Sequence, residues 1–301
     1  MITRRSFFRK TGFGLAAATA APALFTTSAR AQQAPAAGTA GKDPFVTAIA
    51  GYTFNKFNLE QTLEMMKKVD VHYLCIKDFH LPFKSTDEEI AAFHEKCKSF
   101  GVTGYGVGPI YMGSADEAKR AFEYAKRVGV KVVVGVPFET DENKKRVSSA
   151  SLLKVIDGLV KEYDMKYAIH NHGPDMPELF PTAESGIALI KDMDKRVGLC
   201  LDIGHELRAG VDPVESILKY GDRLHDFHLK NVTAADKSGS GIQVPRGKID
   251  IPAVVRALRK ISYTGACSLE YEKDMNDQTV LLLGIAESIG YFRGVVDATR
   301  V

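Results

Sequence analysis

Ionisable side chains recur at the ends of four short apolar segments in the second half of the chain. In sequence order they are His170 and His172, Asp202 and His205, His228, and Glu270 and Glu272. Imidazole and carboxylate groups together suit a divalent transition ion such as Mn, Co, Zn or Ni better than they suit an all-oxygen Mg site. The residue types therefore predict a metal site, provided that the fold brings the four segments together.

Eight apolar runs alternate along the chain with stretches of helical periodicity, which is the pattern of repeated strand–helix units. The runs are FVTAIAG, VHYLCIKD, VTGYGVGP, VKVVVGVP, KYAIHNHG, VGLCLDIGH, LHDFHLKNV and ACSLEYE. Eight such units predict an α/β fold of the (β/α)8 TIM-barrel type rather than an open doubly wound sheet. Because the active site of a TIM barrel lies at the carboxyl ends of its strands, the four segments would converge there.

The alternation of side chains along a strand sorts these candidates further. If His228 faces the barrel axis, Lys230 does too and becomes a candidate for substrate contact, whereas His225 points toward the helices and is expected to be structural. The same alternation places His170 and His172 on one face and turns the asparagine between them the other way.

The second apolar run continues as LCIKDFHLPF and supplies Lys77 and His80. Both residues could reach the mouth of the barrel, Lys77 as an acid/base group or electrostatic partner and His80 as a substrate contact. The alternative interpretation of Lys77 is a surface lysine paired with a nearby carboxylate.

The motifs LCLDIGH, FHLKN and SLEYE, on the sixth, seventh and eighth strands, resemble those of the xylose-isomerase-like TIM barrels known as the sugar phosphate isomerase/epimerase family. The resemblance implies one divalent metal ion, held by a glutamate of the fifth strand together with Asp202, His228 and Glu270. Where the family has that glutamate, this chain has His170, whose imidazole we expect to serve as the fourth ligand.

The resemblance also implies residues that contact the substrate. His205 follows Asp202 by three positions, in the family's Asp-x-x-His pattern, and Arg246 lies in VPRGKID, in the loop after the seventh strand that often helps to hold the sugar. His205, Arg246, His80 and Lys230 are therefore the predicted substrate-binding residues.

The chemistry implied is removal of a proton next to a sugar carbonyl, for which a divalent ion (Mn, Co, Zn, Ni or Mg) stabilises the charge that develops. The candidate bases are Glu270, Glu272, His172 and Lys77. A metal-bound His170 would not exchange a proton, which disfavours a symmetric two-carboxylate epimerisation. We therefore expect elimination or hydration of a 3-keto-glycoside.

Two alternatives to this expected activity stay open. One is an aldose–ketose isomerase or ketose epimerase that acts on a free sugar. The other is a non-catalytic sugar-binding barrel that keeps the metal, since a fold alone does not establish an activity.

The N-terminus carries the features of an export signal. TRRSFFRKTGF resembles the twin-arginine signal of bacteria, ATAAPALF is much shorter than the ~20 residues that span a bilayer, and ARAQ offers a cleavage point. The sequence predicts a signal peptide over residues 1–31, a flexible linker over 32–43 and a single TIM-barrel domain over 44–301. It also predicts a periplasmic or secreted protein whose mature form has no membrane span.

Composition narrows the choice of partner. The net charge of +3 includes the basic residues of the signal, and the chain has no tryptophan and no basic run interleaved with aromatic residues, so nucleic-acid binding is not expected. The first and third strands also lack the extra His and acidic ligands that an endonuclease IV-like barrel would need. The expected partner is a small-molecule sugar or keto-glycoside, and a homodimer would fit the family.

The four cysteines have no paired spacing and are expected to be buried free thiols.

Overall fold

The computed structural model describes residues 43–300, and a closed barrel of eight parallel strands forms its centre. The strands are β1 (Val46–Ala50), β2 (Tyr73–Ile76), β3 (Thr103–Met112), β4 (Val132–Thr140), β5 (Lys166–His170), β6 (Val197–Asp202), β7 (Leu224–Leu229) and β8 (Ala266–Leu269). Each strand pairs with its neighbours in chain order, and β1 pairs with β8 to close the barrel. The predicted (β/α)8 fold is confirmed. The predicted signal peptide and nearly all of the predicted linker lie outside the described residues and remain predictions.

Nine α-helices of the described residues surround the barrel, and two of them follow β6. The helices are α1 (Leu59–Lys68), α2 (Asp87–Ser99), α3 (Ala115–Val128), α4 (Ala150–Tyr163), α5 (Ala183–Ile190), α6 (Ile203–Arg208), α7 (Pro213–Tyr220), α8 (Ile251–Lys260) and α9 (Gln278–Ala298). Their first turns begin where the sequence supplies a capping side chain. At α2, for example, Thr86 accepts a hydrogen bond from the Glu89 amide and the Glu89 carboxylate accepts one from the Thr86 amide.

Two short antiparallel strand pairs lie at the carboxyl end of the barrel. Arg146–Ser148 pairs with the end of β4, and Asn231–Val232 pairs with Gly241–Ile242 after β7. Both pairs lie in loops that follow barrel strands, so they shape the mouth where the candidate residues converge.

The barrel interior contains a polar layer beneath the mouth. The hydroxyl of Tyr105 on β3 donates to the Asp226 carboxylate on β7 at 3.1 Å and lies 2.8 Å from the Ser268 hydroxyl on β8. The Cys200 thiol of β6 donates to the same Asp226 carboxylate. This hydrogen-bonded layer links four strands.

All four cysteines are buried free thiols, as expected: Cys75, Cys97, Cys200 and Cys267.

The last helix of the ring, α9, is long and apolar enough to cross a bilayer by length and composition alone. In this structure its side chains Leu281, Ile285, Ile289 and Phe292 are buried in the core between the helices and the barrel. This packing is that of a core helix in the ring.

Candidate metal centre and active-site cleft

Four ionisable side chains meet at the carboxyl ends of β5 to β8. His170 Nε2 lies 3.1 Å from His228 Nδ1 and 3.8 Å from both Asp202 Oδ2 and Glu270 Oε2, and His228 Nδ1 lies 3.3 Å from Glu270 Oε2. One ligand atom from each residue lies within 4.8 Å of the others, and all four residues are buried. We call these four residues the metal cluster. The structure thus brings the four predicted ligands together.

The donor set fits a divalent transition ion. Bonds of about 2.0–2.2 Å to imidazole nitrogen and carboxylate oxygen would place neighbouring ligand atoms ~3.0–3.6 Å apart, and the observed separations need little adjustment to reach this range. Asp202 Oδ2 is also buried without a well-aligned hydrogen bond from any described residue. Two buried carboxylates this close together need positive charge beside them.

The strand register explains why these side chains converge. Asp202 on β6 lies directly opposite His228 on β7, and His170 ends β5, one strand further along. Glu270 directly follows β8. The second carboxylate oxygen of Asp202 caps α6 by accepting a hydrogen bond from the His205 amide at 2.9 Å, which fixes the orientation of the other oxygen toward the cluster.

A buried lysine is the nearest cation to the cluster. Lys230 Nζ lies 3.0 Å from Asp202 Oδ2, 2.8 Å from Glu270 Oε2 and 2.7 Å from Glu272 Oε2. It also lies 3.4 Å from His205 Nε2. Lys230 points toward the cluster, as the alternation along the strand predicted. Its contact with a substrate remains a prediction.

A second buried carboxylate lies beside the cluster and differs from it in its partners. Glu206 on α6 accepts hydrogen bonds from the Asn171 amide, the Ala183 backbone N–H and the Ser216 hydroxyl at 2.6–3.2 Å. Asn171 in turn exchanges two hydrogen bonds with the Asp202 backbone, as expected for a side chain that faces away from the axis. We call Glu206 with these partners the Glu206 network. It joins the loop after β5 to α5, α6 and α7.

Two members of the metal cluster, His170 and Glu270, line an open cleft of about 260 Å³. The cleft is lined by Tyr52, Lys77, Pro109, Tyr111, His170, His172, Asp175, Met176, His205, Glu270 and Glu272. Across it, the Tyr111 hydroxyl lies 2.6 Å from His172 Nε2. The cleft therefore combines a candidate ion site with acid/base groups that do not belong to the ligand set.

Burial and neighbouring carboxylates set the pKa values of the histidines at this site. It lowers the pKa of His170 to about 4 and that of His172 to about 3, so both are neutral near pH 7. Burial also opposes charge on His228, but the adjacent Glu270 carboxylate outweighs it and raises the pKa of His228 to about 9. Neutral imidazole is the form that ligates a metal, so binding of an ion at His228 would release a proton.

The predicted residue Lys77 does line the cleft. Its Nζ donates to the Pro109 carbonyl at 2.7 Å and lies 3.1 Å from the Asp78 carboxylate. Both interpretations of Lys77 from the sequence thus describe part of its environment, because it reaches the mouth and is also paired with an acid.

Two predicted substrate contacts are corrected. His80 Nε2 lies 3.1 Å from both the Thr62 hydroxyl and the Phe57 carbonyl, because the loop after β2 folds back over α1 instead of into the mouth. Arg246 is exposed and forms a two-point ion pair with Glu287 on α9 at 2.7 and 2.8 Å. Neither residue lines the cleft.

Other cleft residues were not singled out from the sequence, notably Tyr111, Asp175 and Met176. Tyr111 lies near the carboxyl end of β3, a position that could have indicated a role at the mouth. Asp175 forms a two-point ion pair with Arg208 of α6, which fixes the loop after β5 beside His172. The pairing of Asp175 with Arg208 has no local sequence signal.

The fold and this site together define a TIM barrel with an imidazole–carboxylate cluster at the ends of its last four strands. A family model described as a xylose isomerase-like TIM barrel matches residues 69–293. The chain belongs to this family.

Curated relatives carry names of sugar-processing enzymes. The chain is 32% identical over 114 residues to a mannonate dehydratase of Oceanobacillus iheyensis. The matched segment covers 35% of this chain and 33% of that protein. It is 24% identical over 242 residues to an inosose isomerase of Bacillus velezensis. This match covers 72% of this chain and 85% of that protein. The chain spans about a third to two fifths of the length of the first curated relatives it matches.

A solved structure shares the fold. The IOLI protein, crystallised with a bound zinc atom, superposes with a TM-score of 0.65 at 20% identity, which covers 85% of this chain and 99% of that chain.

Proposed function

We propose that the protein is a divalent-metal-dependent enzyme of the sugar isomerase/epimerase type that removes a proton next to the carbonyl of a keto-sugar. The favoured outcome is elimination or hydration of a 3-keto-glycoside. The observation that carries this proposal is the metal cluster, which reaches the cleft through His170 and Glu270 and faces acid/base groups outside the ligand set. The names of the family's dehydratases and isomerases, and the zinc of the IOLI protein, support it.

His170, Asp202, His228 and Glu270 would hold the ion. When bound, a divalent ion supplies positive charge that polarises a carbonyl and acidifies the adjacent C–H bond. The ligands would fix the position of the ion, since all four side chains are buried.

Glu272 is the best-placed base. Its carboxylate lines the cleft and is about one-third exposed, so it faces a bound substrate. Lys230 favours the charged form of Glu272, but burial and the charge of Glu270 outweigh this and raise its pKa. A carboxylate with a raised pKa is a stronger base toward a carbon-bound proton.

Tyr111 and His172 form a candidate acid opposite this base. Elimination would transfer the proton from carbon to Glu272, form a C=C bond with the released electron pair and break the C–O bond at the β carbon. The departing oxygen would take a proton from the Tyr111 hydroxyl, which is hydrogen-bonded to His172. Hydration follows the same steps in reverse with water in place of the departed alcohol: the water oxygen bonds to the β carbon and its proton passes to Tyr111, while Glu272 returns a proton to the carbon next to the carbonyl. Neither direction needs a redox partner.

His170 favours elimination over a two-base epimerisation. An epimerase of this type needs a proton-transferring group on each face of the carbon, and here the ligand from β5 is an imidazole held between Asp202, His228 and Glu270. One carboxylate base outside the ligand set is sufficient for elimination. The mannonate dehydratase relative carries out a reaction named for such a loss of water, whereas the inosose isomerase relative keeps an isomerase on a free sugar as the second candidate.

The decisive experiment measures metal content and product together. The chain from residue 43 onward would be assayed for bound ions by mass spectrometry and incubated in D2O with a 3-keto-glycoside or a free ketose. We expect one ion per chain and release of the alcohol from the glycoside. Deuterium incorporation into the free ketose without alcohol release would favour the isomerase. Absence of a bound ion, or of any turnover and exchange, would leave a non-catalytic barrel.

We also propose that residues 1–31 direct twin-arginine export to the periplasm or beyond. The support is the sequence TRRSFFRKTGF alone. A reporter fused behind residues 1–42 should be exported, and replacement of both Arg4 and Arg5 by lysine should block export. A reporter that is exported equally well with two lysines would contradict the proposal.

A further inference from the structure

Lys230 is surrounded by acidic groups of the barrel itself. Its ammonium is buried and lies within 3.0 Å of three carboxylates, those of Asp202, Glu270 and Glu272. The ammonium donates a hydrogen bond to Glu270 Oε2 and forms ion pairs with Asp202 and Glu272. The lysine is therefore an internal counter-ion of the carboxylates.

Two of its three partners are atoms of the metal cluster. Asp202 Oδ2 and Glu270 Oε2 each lie 3.8 Å from His170 Nε2, and they are also the oxygens that form ion pairs with Lys230 Nζ. A dication bound to these oxygens would lie close to the ammonium, and like charges repel strongly in a buried site. The third partner, Glu272 Oε2, lies outside the ligand set and offers the ammonium a place to move to.

We propose that Lys230 competes with the ion for Asp202 and Glu270 and thereby selects which metal the site accepts. The inference rests on the metal-dependent function proposed above. Zn, Co and Ni gain much of their affinity from imidazole, so His170 and His228 let them bind despite the competing lysine. Mg depends on oxygen ligands, two of which Lys230 already occupies, so the site discriminates against it.

The test compares Lys230→Met with Lys77→Met. Each variant removes one positive charge from the same end of the barrel, but Lys77 bonds to the Pro109 carbonyl and Asp78 instead of to the cluster. The chelator-stripped full chain would be titrated with Zn and Co against a chromophoric chelator, and with Mn and Mg by calorimetry. Lys230→Met should bind each ion at least about tenfold more tightly, with the largest gain for Mg, because a buried competing charge is removed.

Lys77→Met separates direct competition from general charge. It should change affinity by less than about threefold, because partly exposed charges are screened by solvent and salt. Equal gains in both variants would overturn the inference. Unchanged or weaker binding in Lys230→Met, with an Asp202-dependent ion in the parent protein, would overturn this inference and leave the proposed function intact. Absence of any ion in both proteins would overturn both.

A second variant keeps the test decisive if Lys230→Met folds poorly. Glu272→Gln leaves the lysine in place but removes the charge that draws it away from the ligand set. It should weaken Zn and Co binding by about threefold or more, because the ammonium then pairs only with the cluster. Equal or tighter binding in Glu272→Gln would overturn the competition between lysine and ion.

Discussion

The metal cluster and the Glu206 network are buried next to each other at the carboxyl end of the barrel, yet they are built in opposite ways. In the Glu206 network a single carboxylate receives three hydrogen bonds from neutral groups. In the metal cluster two carboxylates and two imidazoles point at one another, and positive charge comes from a buried lysine and from His228, whose pKa is raised to about 9.

The difference shows that burial of a charge does not by itself mark a functional site. The Glu206 network satisfies its carboxylate with hydrogen bonds, which stabilises the loop after β5 and the helices beside it. The metal cluster concentrates charge that hydrogen bonds do not satisfy, a state that proteins retain where a cation or a substrate needs it. Substitutions that separate charge from hydrogen bonding should therefore affect the two sites differently.

The largest effect is expected at Asp202. Asp202→Asn keeps the size of the side chain and its cap on α6 but removes the negative charge that a dication needs. Bound metal should fall from one ion per chain to almost none, and turnover should drop by at least about a thousandfold, as expected when charge stabilisation of the transition state is lost. Mass spectrometry and a turnover assay check this. A variant with full metal content would show that Asp202 is not a ligand.

Glu206→Ala should reduce stability more than activity. It leaves the Asn171 amide, the Ala183 N–H and the Ser216 hydroxyl buried without their acceptor, so the free energy of unfolding should fall by about 3–4 kcal/mol. Urea denaturation measures this loss, and metal content per folded chain should not change. A loss of metal without a loss of stability would mean that Glu206 supports metal binding instead of the fold.

Glu272→Gln tests the base. At saturating metal, kcat should fall about a hundredfold because the amide cannot accept the carbon-bound proton, while the ion stays bound. Solvent deuterium exchange into the substrate reports this step directly. Undiminished exchange would reassign the base to His172 or Lys77.

Glu206→Gln should cost little, because glutamine can offer its oxygen to the two N–H donors and its amide to the Ser216 hydroxyl. We expect a loss below about 1 kcal/mol at neutral pH. Burial raises the pKa of Glu206 above 4.5, so the folded protein binds this proton more tightly than the unfolded chain does. Wild-type stability should therefore fall as the pH rises from 4.5 toward the raised pKa. Denaturation across that range should show a shallower slope for the glutamine variant, and equal slopes would contradict the assignment.

The smallest effect is expected at Arg246. Its ion pair with Glu287 lies on the surface, so Arg246→Ala should change stability by less than about 1 kcal/mol and leave KM unchanged. A clear increase in KM would restore the substrate contact that the family resemblance implied.

Strand periodicity accounts for the part of the site that the sequence predicted. Asp202, His228 and Glu270 lie at or just after strand ends, where position along the strand determines both depth and direction. His80 and Arg246 lie in loops, whose paths depend on contacts distant in sequence, such as that of His80 with Thr62. The periodicity of the sequence does not reveal such contacts.

Strand periodicity missed Tyr111 for a different reason. The pairing of β3 with β4 shifts register between Val107 and Ile110, so counting alternate residues along β3 no longer identifies which side chains face the cleft. The role of Lys230 was hidden in another way. Alternation placed it toward the axis, but its three acidic partners come from β6 and from the segment after β8, and only the folded barrel brings them together.

The closure of the barrel has a consequence for protein engineering. Asp43, just before β1, is 2.7 Å from Arg259 Nε and 3.0 Å from Arg300 Nη2, so the two ends of the described chain share one carboxylate. This meeting point lies at the amino ends of the strands, opposite the cleft. A circular permutant that joins residue 300 to residue 43 by a short linker and opens the chain in an exposed loop should therefore fold with its cleft unaltered.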